Sequence, residues 1–271
     1  MNFKEKLQKI VEKNNSLLCV GLDIDPEKIP RFLFKTSKTP YWDFNKTIID
    51  STSDLVCGYK LNMAFYEALG IQGWELLEKT IQYIPKDLVI VLDGKRNDIG
   101  NTAEKYAQSL FEQLKTDAIT VNPYLGLDGV KPFLKYKDKC SFILCRTSNP
   151  SAKEFQDLET NGKPLYEHVA LKIKEWNKIG TCGAVVGATY PGELKKIREI
   201  LGEDIPILIP GIGEQGGDVE KTVKNGINEK GTIAIINVSR NIIYAGSDRN
   251  FANKSKEYSK KIVNQINKIR R

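Results

Sequence analysis

Eight short apolar runs punctuate the chain, and most are followed by a stretch with helical spacing. The runs are LLCVGLD (17–23), DLVCGYKLN (54–62), DLVIVLDGK (87–95), AITVNPY (118–124), SFILCRT (141–147), GAVVGAT (183–189), PILIPGIG (206–213) and IAIINVSR (233–240). Most are continuously apolar rather than alternating, the pattern of a parallel strand covered on both faces. Between them AFYEALGIQGWELLEKTIQYI, NTAEKYAQSLFEQLK and PGELKKIREILG repeat apolar residues at helical intervals. This alternation predicts a (β/α)8 TIM barrel, with a doubly wound open sheet as the structural alternative. At the ends, Phe3, Leu7, Ile10 and Val11 predict an amphipathic helix over 2–14, and Ile262, Val263, Ile266 and Ile269 predict a closing helix over about 250–270. No composition shift, low-complexity tract or Pro/Gly linker divides the chain, so one domain over 1–271 is expected.

Polar residues gather where the runs end: Asp23, Lys60 with Asn62, Asp93 with Lys95, Asn122, Thr147 with Ser148, Thr189, Gln215 and Arg240. In a barrel those ends converge on one face, where active sites sit. The densest cluster is VLDGKRNDIG. Asp93 and Lys95 are two apart on a strand, which points both side chains to the same side. Asp98 follows at a helix entry, and Lys60 ends the neighbouring run. Two carboxylates in one pocket normally force one to stay protonated, but interleaved ammonium groups relieve that. Lysines also compete with a metal for the carboxylates, so no metal site is expected. Lys60, Asp93, Lys95 and Asp98 suit a reaction whose negative charge moves: a carboxylate leaves, a carbanion forms and a lysine supplies the proton. The plainer alternative is a solvated turn with incidental ion pairs. A buried strand in front and Lys60 alongside favour the pocket.

The segment PGIGEQGGD places Gly211, Gly213 and Gly216 in a G-x-G-x-x-G pattern. Two readings stay open: a dinucleotide fold, or a phosphate cradle built by the loops after the last two strands. The pattern follows the seventh run instead of the first, and the next run ends in Arg240 with no acidic residue to hold a ribose. Both facts favour the cradle, in which Gln215 donates and Arg240 offers a planar cationic fork.

Composition narrows the partners. The 271 residues carry 41% hydrophobic and 28% charged side chains, and no window approaches eighteen apolar residues in a row, so no membrane span is expected. The formal charge of +7 is spread along the helices among Glu and Asp, which argues against a nucleic-acid surface. Five cysteines without a C-x-x-C pair suggest buried reduced thiols and a cytoplasmic protein. The single histidine, His168 in PLYEHVALKIKEW, reads as structural, and zinc hydrolase or His-triad chemistry loses its main ingredient.

The segments GLDIDPE, KLNMAFYEALG, DGKRNDIGNT, TSNPSA, PGIGEQGGD and NVSRNIIYAG, in this order, resemble the orotidine 5′-phosphate decarboxylase family, most of all its longer bacterial subgroup, from about residue 17 to 245. The resemblance implies decarboxylation of orotidine 5′-phosphate to UMP and CO2, the last step of de novo pyrimidine biosynthesis, without a cofactor. Lys60, Asp93, Lys95 and Asp98 then match the family's charged tetrad, with Lys95 donating a proton to C6. Asp93 sits by the substrate carboxylate, Asp23 and Lys60 hold ribose hydroxyls, Ser148 bonds the pyrimidine, and Gln215 and Arg240 grip the phosphate. A homodimer is implied, with Asp98 and Thr102 reaching the partner's site. Ser239 stands where relatives often have Gly, which leaves open whether its backbone or hydroxyl meets the phosphate. The 151–163 segment exceeds that of compact relatives and receives no role.

Overall fold

The computed structural model describes residues 1–212 and 217–270. Gly213, Gln215 and Gly216 of the proposed cradle lie outside the described residues. The strands are β1 (Leu18–Gly21), β2 (Gly58–Asn62), β3 (Val89–Arg96), β4 (Ala118–Val121), β5 (Cys140–Arg146), β6 (Glu159–Thr160), β7 (Lys163–Pro164), β8 (Cys182–Val186), β9 (Ile207–Pro210) and β10 (Ala234–Val238). Eight of them, all but β6 and β7, close into a parallel barrel in the order β1-β10-β9-β8-β5-β4-β3-β2. Closure is explicit in β1, whose Leu18 pairs with Ile236 on one side while Cys19 pairs with Gly58 on the other. An open sheet would leave that edge unpaired, so the doubly wound alternative is overturned. Each of the eight apolar runs contains one barrel strand to within a residue, and apart from the charged end of β3 the strands are almost wholly buried, as strands sandwiched between a filled interior and an outer helical ring must be.

The terminal helices complete the shell. Asn2 and Glu5 form a reciprocal capping box at the start of Phe3–Lys13. Its apolar side meets the N-terminal end of the barrel, where the Phe3 ring stands edge-on to Phe142 at 5.8 Å. Lys6 pairs there with Asp117 at 2.7 Å. The closing helix Phe251–Arg270 buries Ile262, Val263 and Ile266 against Pro40–Thr52 and Val219–Gly226. None of the helices in the described residues is long and apolar enough to cross a membrane. All five cysteines are buried and unpaired.

Three local departures from the periodicity stand out. The 64–84 stretch splits into Met63–Glu67 and Ile71–Tyr83, because Gly70 between them takes φ +65°, a left-handed conformation that interrupts a helix. The next helix, Gly100–Gln108, runs into a single π turn over Ser109–Gln113. The 151–163 segment, which received no role, takes part in a 3-10 turn (Pro150–Glu154) and the antiparallel hairpin β6–β7.

Candidate active site

A cavity of about 500 Å³ opens at the C-terminal ends of the barrel strands. Its walls include Asp23, Lys60, Asp93, Lys95, Ser148, Ser239 and Arg240, seven of the ten residues singled out from sequence. Asp98 and Thr102 are not among its walls, and Gln215 is outside the described residues.

The charged side of the cavity is an alternating chain. Lys60 Nζ lies 3.5 Å from Asp23 Oδ1 and 3.3 Å from Asp93 Oδ2. Lys95 Nζ lies 2.8 Å from the other oxygen of Asp93. The Lys60 side chain is 4% exposed and that of Lys95 50%, so one ammonium is a fixed internal charge and the other can meet a ligand. Burial works against charge on Asp93, but Lys60, Lys95 and hydrogen bonds from Lys95 and Thr120 outweigh it and hold the carboxyl well below the usual carboxylate range. Burial likewise opposes charge on Lys60, and Asp23 and Asp93 overcome it, pushing its ammonium above the ordinary lysine value. Asp23 and Asp93 share a cation, and that cation is Lys60. Among the described residues no group of three or more His, Cys, Asp or Glu side chains gathers as a metal site would require.

Asp93 and Lys95 do share a cavity, but regular strand alternation is not the reason. The β3–β4 ladder shifts register between Leu92 and Arg96, and Lys95 takes φ +45°, a conformation uncommon and costly for a non-glycine residue. Such an irregularity re-aims a side chain next to an active site. Thr120 holds it in place: its Oγ1 accepts the Lys95 backbone N–H at 2.9 Å and donates to Asp93 Oδ1 at 2.8 Å. Thr120 escaped the sequence reading because it sits inside AITVNPY as one more strand former. The available signal was its inward parity on the strand beside Asp93. Asn237 was missed likewise; it faces the cavity from β10, and its buried Oδ1 has no hydrogen-bond partner among the described residues.

Asp98 departs from its expected place within one chain. β3 pairs with β4 as far as Arg96–Val121, and the chain then turns outward into the helix starting at Gly100. The Asp98 carboxylate accepts its neighbour's Ile99 N–H at 2.8 Å, and Thr102 is exposed on the following helix. Spacing alone had grouped Asp98 with Lys60, Asp93 and Lys95; within this chain the second carboxylate beside Lys60 is that of Asp23.

The loops around the mouth are tied by hydroxyls. Tyr244 donates to the Asp23 carbonyl at 3.0 Å and accepts Asp25 N–H at 2.6 Å, fixing the turn that follows β1. The Ser239 hydroxyl donates to the Gly21 carbonyl at 3.0 Å, which engages its proton and leaves the oxygen's lone pairs and the backbone N–H as the groups that can face a ligand. His168 stands apart from the cavity and bonds the Thr160 carbonyl through Nε2 at 2.8 Å, a structural contact.

Comparison with known proteins fits this geometry. The profile of the family described as orotidine 5′-phosphate decarboxylase / HUMPS matches residues 16–255. An orotidine 5′-phosphate decarboxylase from Dehalococcoides mccartyi is 47% identical over 275 aligned residues, covering 100% of this chain and 99% of the relative. An OMP decarboxylase of Leishmania donovani superposes with a TM-score of 0.82 at 36% identity, covering 97% of this chain and 99% of that one. The UMP synthase of the same organism superposes at 0.85 with 37% identity, covering 97% of this chain, which spans only 57% of that longer protein. On the family profile and full-length identity together, the chain belongs to the orotidine 5′-phosphate decarboxylase / HUMPS family.

Proposed function

We propose that the chain decarboxylates orotidine 5′-phosphate to UMP and CO2, the closing step of de novo pyrimidine synthesis, as a cytoplasmic enzyme using no cofactor. The observation that carries this reading is the alternating Asp23–Lys60–Asp93–Lys95 chain at the cavity wall, with the half-exposed Lys95 at its end. The substrate carboxylate sits against Asp93, which its neighbours keep ionised, and the repulsion between the two is relieved as CO2 departs. Heterolysis leaves the C–CO2 electron pair on C6 of the pyrimidine. Lys95 passes its ammonium proton to that carbon, and solvent reprotonates the neutral amine. Lys60 stays charged between two carboxylates and preorganises the field without moving a proton. Asp23 and Lys60 take the ribose hydroxyls, Ser148 the pyrimidine edge, and Arg240, Gln215 and the backbone of Ser239 the phosphate. The phosphate lies away from the reacting carbon, so its binding energy serves to seat the substrate against the charges.

Asp98 and Thr102 fit this scheme as contributions to the partner's site in a homodimer, since their own chain's cavity does not use them. Mixing Asp98→Ala with Lys95→Ala subunits is expected to regain activity in hybrid dimers, and verified hybrids that stay inactive would count against a shared site.

The family also contains enzymes of other chemistry, and the cation already held between Asp23 and Asp93 favours the metal-free reading over a metal-dependent one. The test is ultraviolet absorbance of orotidine 5′-phosphate mixed with purified protein in EDTA. The expected result is a steady loss of the substrate band with UMP as product; turnover only after a divalent metal is added would overturn it.

A further inference from the structure

The segment that received no role from sequence is wired to the cavity through one side chain. It leaves β5 at Arg146, passes Thr147, Ser148 and Asn149 at the cavity mouth, and returns through the 3-10 turn and the hairpin to the helix Leu165–Trp176. Arg146 anchors the return. It is 1% exposed, its guanidinium lies 4.0 Å from the centre of the Tyr190 ring, and it pairs with Asp157 at 3.1 Å. The adjacent Gln156 is fixed by its own backbone, whose N–H donates to the Ala152 carbonyl at 2.8 Å and whose carbonyl accepts Tyr166 N–H at 3.0 Å.

From that fixed point the Gln156 carboxamide grips Thr147 at both ends. Its Oε1 accepts Thr147 N–H at 2.9 Å and Arg146 Nη1 at 3.2 Å, while its Nε2 donates to Thr147 Oγ1 at 2.8 Å. The Thr147 hydroxyl then donates to Asn149 Oδ1 at 2.7 Å, so the residues on both sides of Ser148 belong to one hydrogen-bonded unit. On the opposite side Ser148 rests on Gly187, where a Cβ would lie 2.8 Å from that of Ser148 and only a glycine fits. Ser148 is therefore held between a glycine backbone and an amide clamp. Gln156 itself is not a wall of the cavity.

We propose that Gln156 is a positioning residue for base recognition: it sets the Ser148 loop against the end of the cavity that receives the pyrimidine, and this is the role of the 151–163 segment. The inference rests on the proposed reading in which Ser148 meets the pyrimidine. It assigns the segment to recognition of the base, leaving the phosphate and ribose to the other strands. A general loosening of the fold would weaken every ligand alike, whereas loss of the clamp weakens only ligands that carry a base.

The experiment compares UMP with ribose 5-phosphate by titration calorimetry on the wild type, Gln156→Ala and Gln156→Glu. Loss of three side-chain hydrogen bonds, two of them to Thr147 one step removed from the ligand, is expected to weaken UMP about ten-fold in Gln156→Ala. Ribose 5-phosphate should stay within about two-fold, since the clamp touches nothing it uses. Gln156→Glu keeps an acceptor for the Thr147 N–H and Arg146 but loses the donor to Thr147 Oγ1, whose proton is committed to Asn149, so UMP should recover only part of the ten-fold loss. Equal weakening of both ligands, or of neither, overturns the proposal. Should Gln156→Ala not fold, Gln156→Met preserves side-chain length and carries the same expectation; failure of both to fold would assign the residue to structure alone. Wild-type protein that binds neither ligand, or leaves orotidine 5′-phosphate intact, would instead overturn the functional reading beneath it.

Discussion

The two sides of the cavity are built in different ways. The side formed by β1 to β4 is a lattice of full charges with contacts of 2.8–3.5 Å, three of whose members, Asp23, Lys60 and Asp93, are largely out of water. The side formed by β5 and β8 to β10 presents Leu144, Val185, Leu208 and Pro210 with Asn237 from β10, and its other polar groups are supplied by loops at its rim. Buried charges are costly unless each is matched, so the charged side tolerates little rearrangement. The loops of the other side are held mainly by hydrogen bonds, with the Arg146–Asp157 pair behind them, and adapt more cheaply. On the proposed reading the contrast separates two tasks: the first side fixes the field in which a bond breaks, and the second selects and seats what enters.

That division makes its sharpest prediction at Lys95. Lys95→Ala removes the proposed proton donor while leaving Lys60 to hold Asp93, and kcat should fall about 10³-fold or more with UMP affinity altered far less. A variant with normal single-turnover rates would abolish the distinction between the two sides. Arg240→Ala tests the other side. It should raise KM for orotidine 5′-phosphate roughly ten- to a hundred-fold, the range of a charge-assisted contact, and leave binding of the unphosphorylated nucleoside nearly unchanged. Equal losses for both would remove phosphate from the Arg240 end of the cavity.

How much of this was legible depends on the length scale of the signal. Barrel strands announce themselves because burial on both faces requires an unbroken apolar run, and each of the eight runs became a strand. The pairing of Asp93 with Lys95 was legible as an outcome but not as a geometry. Their spacing suggested an ordinary pleat, while the chain uses a register shift and a left-handed residue. Asp98 was misplaced within its own chain because spacing carries no information about the direction of a turn. Gln156 was invisible, since its partner Thr147 is brought close by a hairpin that no periodicity foretold.

Thr120 sharpens the comparison within the charged side. Its hydroxyl joins the Lys95 backbone to the Asp93 carboxylate, so Thr120→Val removes two hydrogen bonds while keeping the side chain's volume. The expected cost is about ten-fold in kcat with KM little changed, and Thr120→Ser should recover most of it. Loss expressed in KM alone would move Thr120 from aligning the charges to binding the substrate.

The smallest effect concerns stability and follows from the sign of two shifts. Asp93 is held below its unfolded value, so its contribution is complete above the ordinary carboxylate range and is lost as pH falls below about 4. Lys60 is held above its unfolded value, so its contribution is complete below about pH 10 and is lost as pH rises beyond it. Between those limits neither group makes stability pH-dependent. Asp93→Asn deletes the acid-sensitive part and leaves buried Lys60 with Asp23 as its only carboxylate among the described residues. Its melting temperature should fall below the wild type's at pH 7, and the gap should narrow by a few degrees as pH drops toward 3. A gap that stayed constant over that range would mean the Asp93 charge contributes nothing to folding, and that the lattice exists for chemistry alone.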